Sequence, residues 1–188
     1  MKKILAALLA SMMVMSLAGC GKTGIGGASN WVSADENIEA YELEDGSYYY
    51  EGRLGSTMKT AWFDFVIEDA YVTHDEIGGY SANGGNELVV VKITVKNTFS
   101  ESIPMSNYDF QLQWNGGDNE FAWPVEEEDI IDDQFPAEYT LGVNESLTGY
   151  YVYEAPGGET DLNISFVEYY EDNTEGNAFW IYFTADEK

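Results

Sequence analysis

The stretch that most constrains this chain is ELVVVKITVKNT, residues 87–98. From Val91 onward it alternates strictly, with Val91, Ile93 and Val95 set against Lys92, Thr94 and Lys96. A period of two is the mark of a β-strand with one buried and one solvated face. Its first half, residues 88–91, is apolar at every position. A run of that kind has no wet face, so it belongs in the centre of a sheet with both of its sides covered. The rest of the chain must therefore supply flanking strands and something to lie over them.

It does so in short apolar runs separated by turn residues. Strands are expected at 47–54, 61–73, 108–114, 120–123, 146–154, 162–170 and 178–184, in addition to 87–98. Within them Phe63, Phe65 and Ile67 oppose Asp64 and Glu68. Phe110, Leu112 and Trp114 oppose Asp109, Gln111 and Gln113. Leu162, Ile164 and Phe166 alternate with Asn163 and Ser165, and Phe179, Ile181 and Phe183 with Trp180 and Tyr182. Asn115-Gly116-Gly117 is the turn of a hairpin, because Asn and Gly tolerate positive φ. After the N-terminal segment no helix-length periodic run occurs; only residues 126–134 (EEEDIIDDQ) have the makings of one or two helical turns. The pattern predicts an all-β fold, an immunoglobulin-like two-sheet antiparallel β-sandwich of seven to eight strands spanning residues 47–188.

The first 46 residues are not part of that sandwich. Lys2 and Lys3 precede an apolar stretch too short to span a bilayer, and small residues lead into Cys20, as at an export cleavage site. Leu17-Ala18-Gly19-Cys20 resembles the lipobox of bacterial lipoproteins. That resemblance implies cleavage between Gly19 and Cys20, with residues 1–19 as signal peptide and lipid on the Cys20 sulfur, typically with palmitate on its amino group. The protein would then sit on the extracytoplasmic face of the cell membrane, held through its lipid. Residues 20–46, rich in Gly and small polar groups and then acidic, form a tether with a reach of about 25–30 Å. Cys20 is the one cysteine, so the sandwich has no disulfide and no thiolate metal site, and its hydrophobic core must hold it.

Three segments resemble a known family. They are WFDFVIEDAYV (62–72), LVVVKITVKNT (88–98) and LGVNESLTGYYVYEAP (141–156). Together they are similar to the immunoglobulin-like, telokin-like extracellular domain of unknown function found in many bacterial surface lipoproteins. The resemblance spans roughly residues 55–185 and implies the fold, not an activity. Where that family has Pro-Gly before its long strand, this chain has Val143-Asn144, and Asn144 is expected to take the left-handed position of the turn.

Chemistry-bearing residues are few. The chain has 34 acidic and 8 basic groups, a net charge of −26. Phosphate recognition needs a basic patch, so nucleic acid is excluded as a partner. His74 is the single histidine and reads as solvated; nucleophilic, zinc-hydrolase and phosphate-loop motifs are absent, and no enzymatic role is expected. The run Glu126, Glu127, Glu128, Asp129, Asp132 and Asp133 offers oxygen ligands that would suit calcium, although it lacks the EF-hand pattern and also reads as a solvated acidic face. Tyrosines cluster at Tyr48–Tyr50, Tyr150–Tyr153 (with Val152) and Tyr169–Tyr170. Neighbours on a strand point to opposite faces, so some of these rings must be outside, and Tyr49, Tyr151 and Tyr170 are the candidate ligand contacts. Exposed tyrosines suit protein recognition and can also stack on sugars. The sequence thus describes a surface-anchored, non-catalytic binding module for an envelope or secreted protein. A carbohydrate-binding or calcium-stabilised adhesion domain is the alternative.

Overall fold

The computed structural model describes residues 37–114 and 120–188. Gly19, Cys20, the expected signal peptide, the tether up to residue 36 and the expected turn at 115–117 lie outside the described residues. The described chain is a β-sandwich. One sheet has six strands in the spatial order β1 (Glu39–Glu42), β2 (Tyr48–Arg53), β12 (Glu175–Thr184), β11 (Asp161–Tyr169), β7 (Gln111–Trp114) and β8 (Phe121–Ala122). The facing sheet runs β10 (Ser146–Pro156), β5 (Asn86–Asn97), β4 (Phe63–Thr73) and β13 (Asp186–Glu187), with β3 (Thr57–Lys59) also on β4. A separate pair joins β6 (Ile103–Ser106) to β9 (Glu138–Leu141). Pairing is antiparallel except where β2 lies parallel to β12 and β13 parallel to β4.

All eight expected strands are present. The others escape sequence reading for physical reasons: β1 is exposed at every position, β6 contains Pro104, and β3, β9 and β13 have four residues or fewer. Within residues 35–46, expected to extend the tether or to lie against the domain, Glu39–Glu42 pairs with β2. Tyr108 does not open β7. A short 3₁₀ turn at Asn107–Asp109 precedes that strand, fixed by Ser106 and Asp109, whose carboxylate accepts from the Ser106 backbone N–H at 2.7 Å. Asn144 takes φ 60°, the left-handed turn position.

The core lies between the sheets and is aromatic. Phe65 on β4 is at its centre, with ring centroids 6.2 Å from Phe63, 5.2 Å from Phe110, 6.2 Å from Phe166 and 6.3 Å from Phe179. The edge-to-face contacts with Phe110, Phe166 and Phe179 tie both sheets through one ring. On β5, Val89, Val91, Ile93 and Val95 join this core. Leu88 and Val90 face the opposite way, yet both are buried, because Ile130 packs against them and Val152 lies beside Val90 on β10.

Ile130 belongs to the acidic segment, which forms no helix. Asp129 and Asp133 adopt left-handed φ values of 62° and 60°, incompatible with a helical run. The segment instead straps the free edge of β10. Val125 N–H donates to the Val152 carbonyl at 2.8 Å, Phe135 N–H to the Tyr150 carbonyl at 3.0 Å, and Tyr150 N–H to the Asp133 carbonyl at 3.0 Å. An open strand edge would template aggregation, and the strap closes it. The approach is so close that only glycine fits beneath it. A Cβ at Gly149 would lie 2.5 Å from the Asp133 carbonyl oxygen, and one at Gly78 would lie 2.2 Å from that of Ile130.

Two outcomes follow for stability. Phe65→Ala removes the shared ring and lowers the free energy of unfolding by about 3–5 kcal/mol in chemical denaturation. Gly149→Ala forces the strap outward, costs about 1–3 kcal/mol, and deprotects the Phe135 and Tyr150 amides together in hydrogen exchange, leaving β12 protected.

Candidate binding face

The outer faces of the two sheets differ in what they show to solvent. On the sheet containing β5, the solvated rows carry a surface ion pair, Lys92 with Glu68 at 2.8 Å, and a Thr94 hydroxyl that donates to Glu68 at 2.6 Å. The far end of that face is closed by the strap and by the loop over residues 77–86. Glu154 holds that loop, accepting from the Tyr80 hydroxyl at 2.5 Å, Asn83 Nδ2 at 2.8 Å and Asn86 Nδ2 at 3.1 Å.

The outer face of the six-stranded sheet is built by alternation. Phe179, Ile181 and Phe183 enter the core, so Trp180 and Tyr182 point outward from β12. Leu162, Ile164 and Phe166 do the same on β11, which sends Asn163 and Ser165 outward. Parallel pairing sets Tyr49 beside Ala178, Glu51 beside Trp180 and Arg53 beside Tyr182. Tyr49 crosses this row to stack on Trp180, with centroids 4.3 Å apart and planes 27° apart, and its hydroxyl meets that of Tyr182 at 2.6 Å. Tyr41 on β1 continues the row, 6.1 Å from Tyr49. Four aromatic side chains thus share one sheet face.

Polar groups hold the rings in place. Trp180 Nε1 donates to Gln113 Oε1 at 3.2 Å, and Gln113 Nε2 donates to Gln111 Oε1 at 2.6 Å. Burial pushes the Tyr49 hydroxyl well above the ordinary tyrosine range, and its bond to Tyr182 adds to the effect. Burial raises Tyr182 as well, although the Tyr49 bond and the Arg53 charge oppose it. Both phenols therefore stay neutral across the physiological range and serve as hydrogen-bonding groups. Arg53 sits over the Tyr182 ring, 5.3 Å from its centroid. At this end the face opens into a cleft of about 530 Å³ lined by Glu51, Arg53, Asp161, Asn163, Tyr182 and Thr184.

The candidate residues from the sequence are not brought together. Tyr49 is on the aromatic face. Tyr151 is not a ligand contact: β10 register places it opposite Val91, it is 1% exposed, and it stacks on Phe135 in the core at 5.1 Å. Tyr150 is the member of that pair that turns outward. Tyr170 is exposed but lies beyond the end of β11, 5.5 Å from Trp62 and off the aromatic face. Glu126, Glu127, Glu128, Asp129, Asp132 and Asp133 are spread along the exposed side of the strap, because its apolar residues, Ile130 above all, point inward. Among the described residues no group of three or more His, Cys, Asp or Glu side chains is placed to hold a metal ion, so the calcium expectation finds no gathered ligand set. His74 is exposed, 3.4 Å from Glu87 and 3.6 Å from Glu187. Sequence reading missed Trp180, Tyr182, Asn163 and Arg53 as site residues. Alternation had marked three of them as outward, but the parallel β2–β12 contact that assembles them is non-local.

These features define a small acidic β-sandwich with one outer face strapped over and the other lined by aromatic side chains. The chain belongs to the family described as a domain of unknown function (DUF4352), which matches residues 52–175. Among solved structures it is similar to YcdA, a candidate lipoprotein from Bacillus subtilis, at 18% identity and TM-score 0.54, covering 69% of this chain and 38% of that one. The chain thus spans well under half the length of YcdA. It is also similar to MPT63, a secreted protein from Mycobacterium tuberculosis, at 15% identity and TM-score 0.51, covering 69% of this chain and 95% of that one. An uncharacterised β-sandwich protein of Clostridium difficile 630 aligns at 14% identity and TM-score 0.45 over 71% of this chain and 93% of its own. The first two likenesses are of fold. No curated protein matches the sequence.

Glu154 supplies a pH-dependent outcome. Burial pushes its carboxyl up, but hydrogen bonds from Tyr80, Asn86 and Asn83 outweigh this and hold it below its ordinary 4.5. A carboxylate lowered in the folded state contributes stability that is complete above the unfolded value and is lost as pH falls through the folded one. Thermal melts from pH 7 down to about pH 3 should therefore show Glu154→Gln less stable than wild type at pH 7 by about 1 kcal/mol, with the gap closing below about pH 4.

Proposed function

We propose that this protein is a lipid-anchored, non-catalytic binding module of the bacterial cell surface, an immunoglobulin-like, telokin-like sandwich that meets its partner through the open face of the six-stranded sheet. The observation that carries the binding reading is the row Tyr41, Tyr49, Trp180 and Tyr182 on that face, outside the core yet locked by stacking and hydrogen bonds. Rings that are rigid before contact lose little entropy on burial, which is why such groups recur in recognition surfaces. Anchoring is supported by Leu17-Ala18-Gly19-Cys20 and by the Gly-rich residues that follow. Likeness to a candidate lipoprotein, YcdA, agrees with it. The partner is an envelope component, protein or glycan, within reach of the tether.

Anchoring and binding separate cleanly in experiment. In the producing bacterium, wild-type protein incorporates labelled palmitate and partitions into the detergent phase; Cys20→Ser loses both, and an unchanged partition would refute the anchor. For binding, the full-length protein in detergent is titrated onto purified envelope. The pair Tyr49→Ala and Tyr182→Ala should weaken retention at least tenfold, whereas Lys96→Ala, on the opposite sheet, should leave it unchanged. Equal retention by all three variants would overturn the assignment of the face.

A further inference from the structure

We propose that the cleft at the Arg53 end of the aromatic face is a subsite for an uncharged sugar. This rests on the binding reading above and names its ligand chemistry. The key group is Asn163, on β11 in the middle of the sheet. Its side chain points outward and lines the cleft, and the residue is only 4% exposed. Its Oδ1 is buried and has no hydrogen-bond partner. A buried amide oxygen with no donor costs stability, so its retention calls for an explanation. No neighbouring group of the face donates to Asn163 Oδ1. Gln113 is engaged by Trp180 and Gln111, and the Tyr182 hydroxyl by Tyr49. A hydroxyl of a molecule seated in the cleft would supply that donor.

The surrounding groups say which kind. Glu51 and Asp161 add carboxylate acceptors, and Asp161 spends Oδ1 on the Thr184 hydroxyl at 2.8 Å. Arg53 is the one cation of the lining, and among the described residues its guanidinium donates only to the Gly52 carbonyl, at 3.4 Å. A set of acceptors beside one planar donor suits neighbouring hydroxyls, each of which donates one bond and accepts another. An anionic ligand would meet two carboxylates and a chain of net charge −26. An ammonium would meet Arg53. A neutral sugar ring avoids both penalties. Tyr182 and the Tyr49–Trp180 stack extend from the cleft as a platform for further rings of a chain.

The test uses the full-length protein in a detergent that carries no sugar. Neutral hexasaccharides of glucose in α and β linkage, of mannose and of N-acetylglucosamine are titrated with tryptophan fluorescence and amide chemical shifts as readouts. At least one series should saturate, with shifts centred on Arg53, Asn163 and Tyr182, and a hexauronate should bind at least tenfold more weakly. Asn163→Leu should keep or raise the melting temperature while weakening the sugar at least tenfold; Lys96→Ala should change neither. The inference is overturned if no neutral saccharide binds, if Asn163→Leu binds as wild type, or if Asn163→Leu lowers the melting temperature, since Oδ1 would then serve the fold. Should saccharides fail while protease treatment of the envelope abolishes a retention that Tyr49→Ala and Tyr182→Ala also abolish, the partner is a protein. The binding face would then stand without the sugar.

Discussion

The covering of one outer face follows from Leu88 and Val90, two apolar side chains that point away from the core. Water cannot be left against them, and β10 beside them would be an open edge. The chain answers both demands with one segment. Residues 125–135 press Ile130 onto the pair and hydrogen-bond along β10, close enough that Gly78 and Gly149 must lack side chains. The acidic residues of this segment are its solvent side. Their number reflects the need to keep an irregular, tightly apposed strap soluble, and the apolar residues between them do the fastening. With that sheet covered at one end and ion-paired at the other, the six-stranded sheet is left as the open face.

On that face the physics is the opposite of covering. Trp180 is almost wholly buried although it points out of the sandwich, because Tyr49 lies flat on it and the glutamine pair holds its indole nitrogen. Side chains so fixed have already lost their rotamer freedom in the free protein, and what remains to be lost on association is small. The neutral phenols matter for the same reason. Hydroxyls that do not ionise offer a partner the same pattern of donors and acceptors whatever the local pH.

How much of this was legible depended on whether the cause was local. Alternation in residues 162–170 and 178–184 reads directly as one apolar and one outward row, and the structure keeps both, so Asn163, Trp180 and Tyr182 were sorted to the right side. The same rule could have placed Tyr151 inside, opposite Val91, but adjacent tyrosines look alike until register is known. β1 carried no apolar signal at all; its pairing to β2 is a tertiary fact. The site itself depends on β2 lying parallel to β12, two strands separated by most of the chain, and no spacing in the sequence announces that contact. The acidic run read both as a solvated face and as a source of oxygen ligands, since charge density is visible in a sequence and convergence is not.

The family match spans residues 52–175, whereas Tyr41, Tyr49, Trp180 and Tyr182 all fall outside it. Those rings come from strands near the two chain ends that close over one side of the shared segment. The shared segment thus supplies the core strands together with Arg53 and Asn163, and the aromatic row is added to it from β1, β2 and β12.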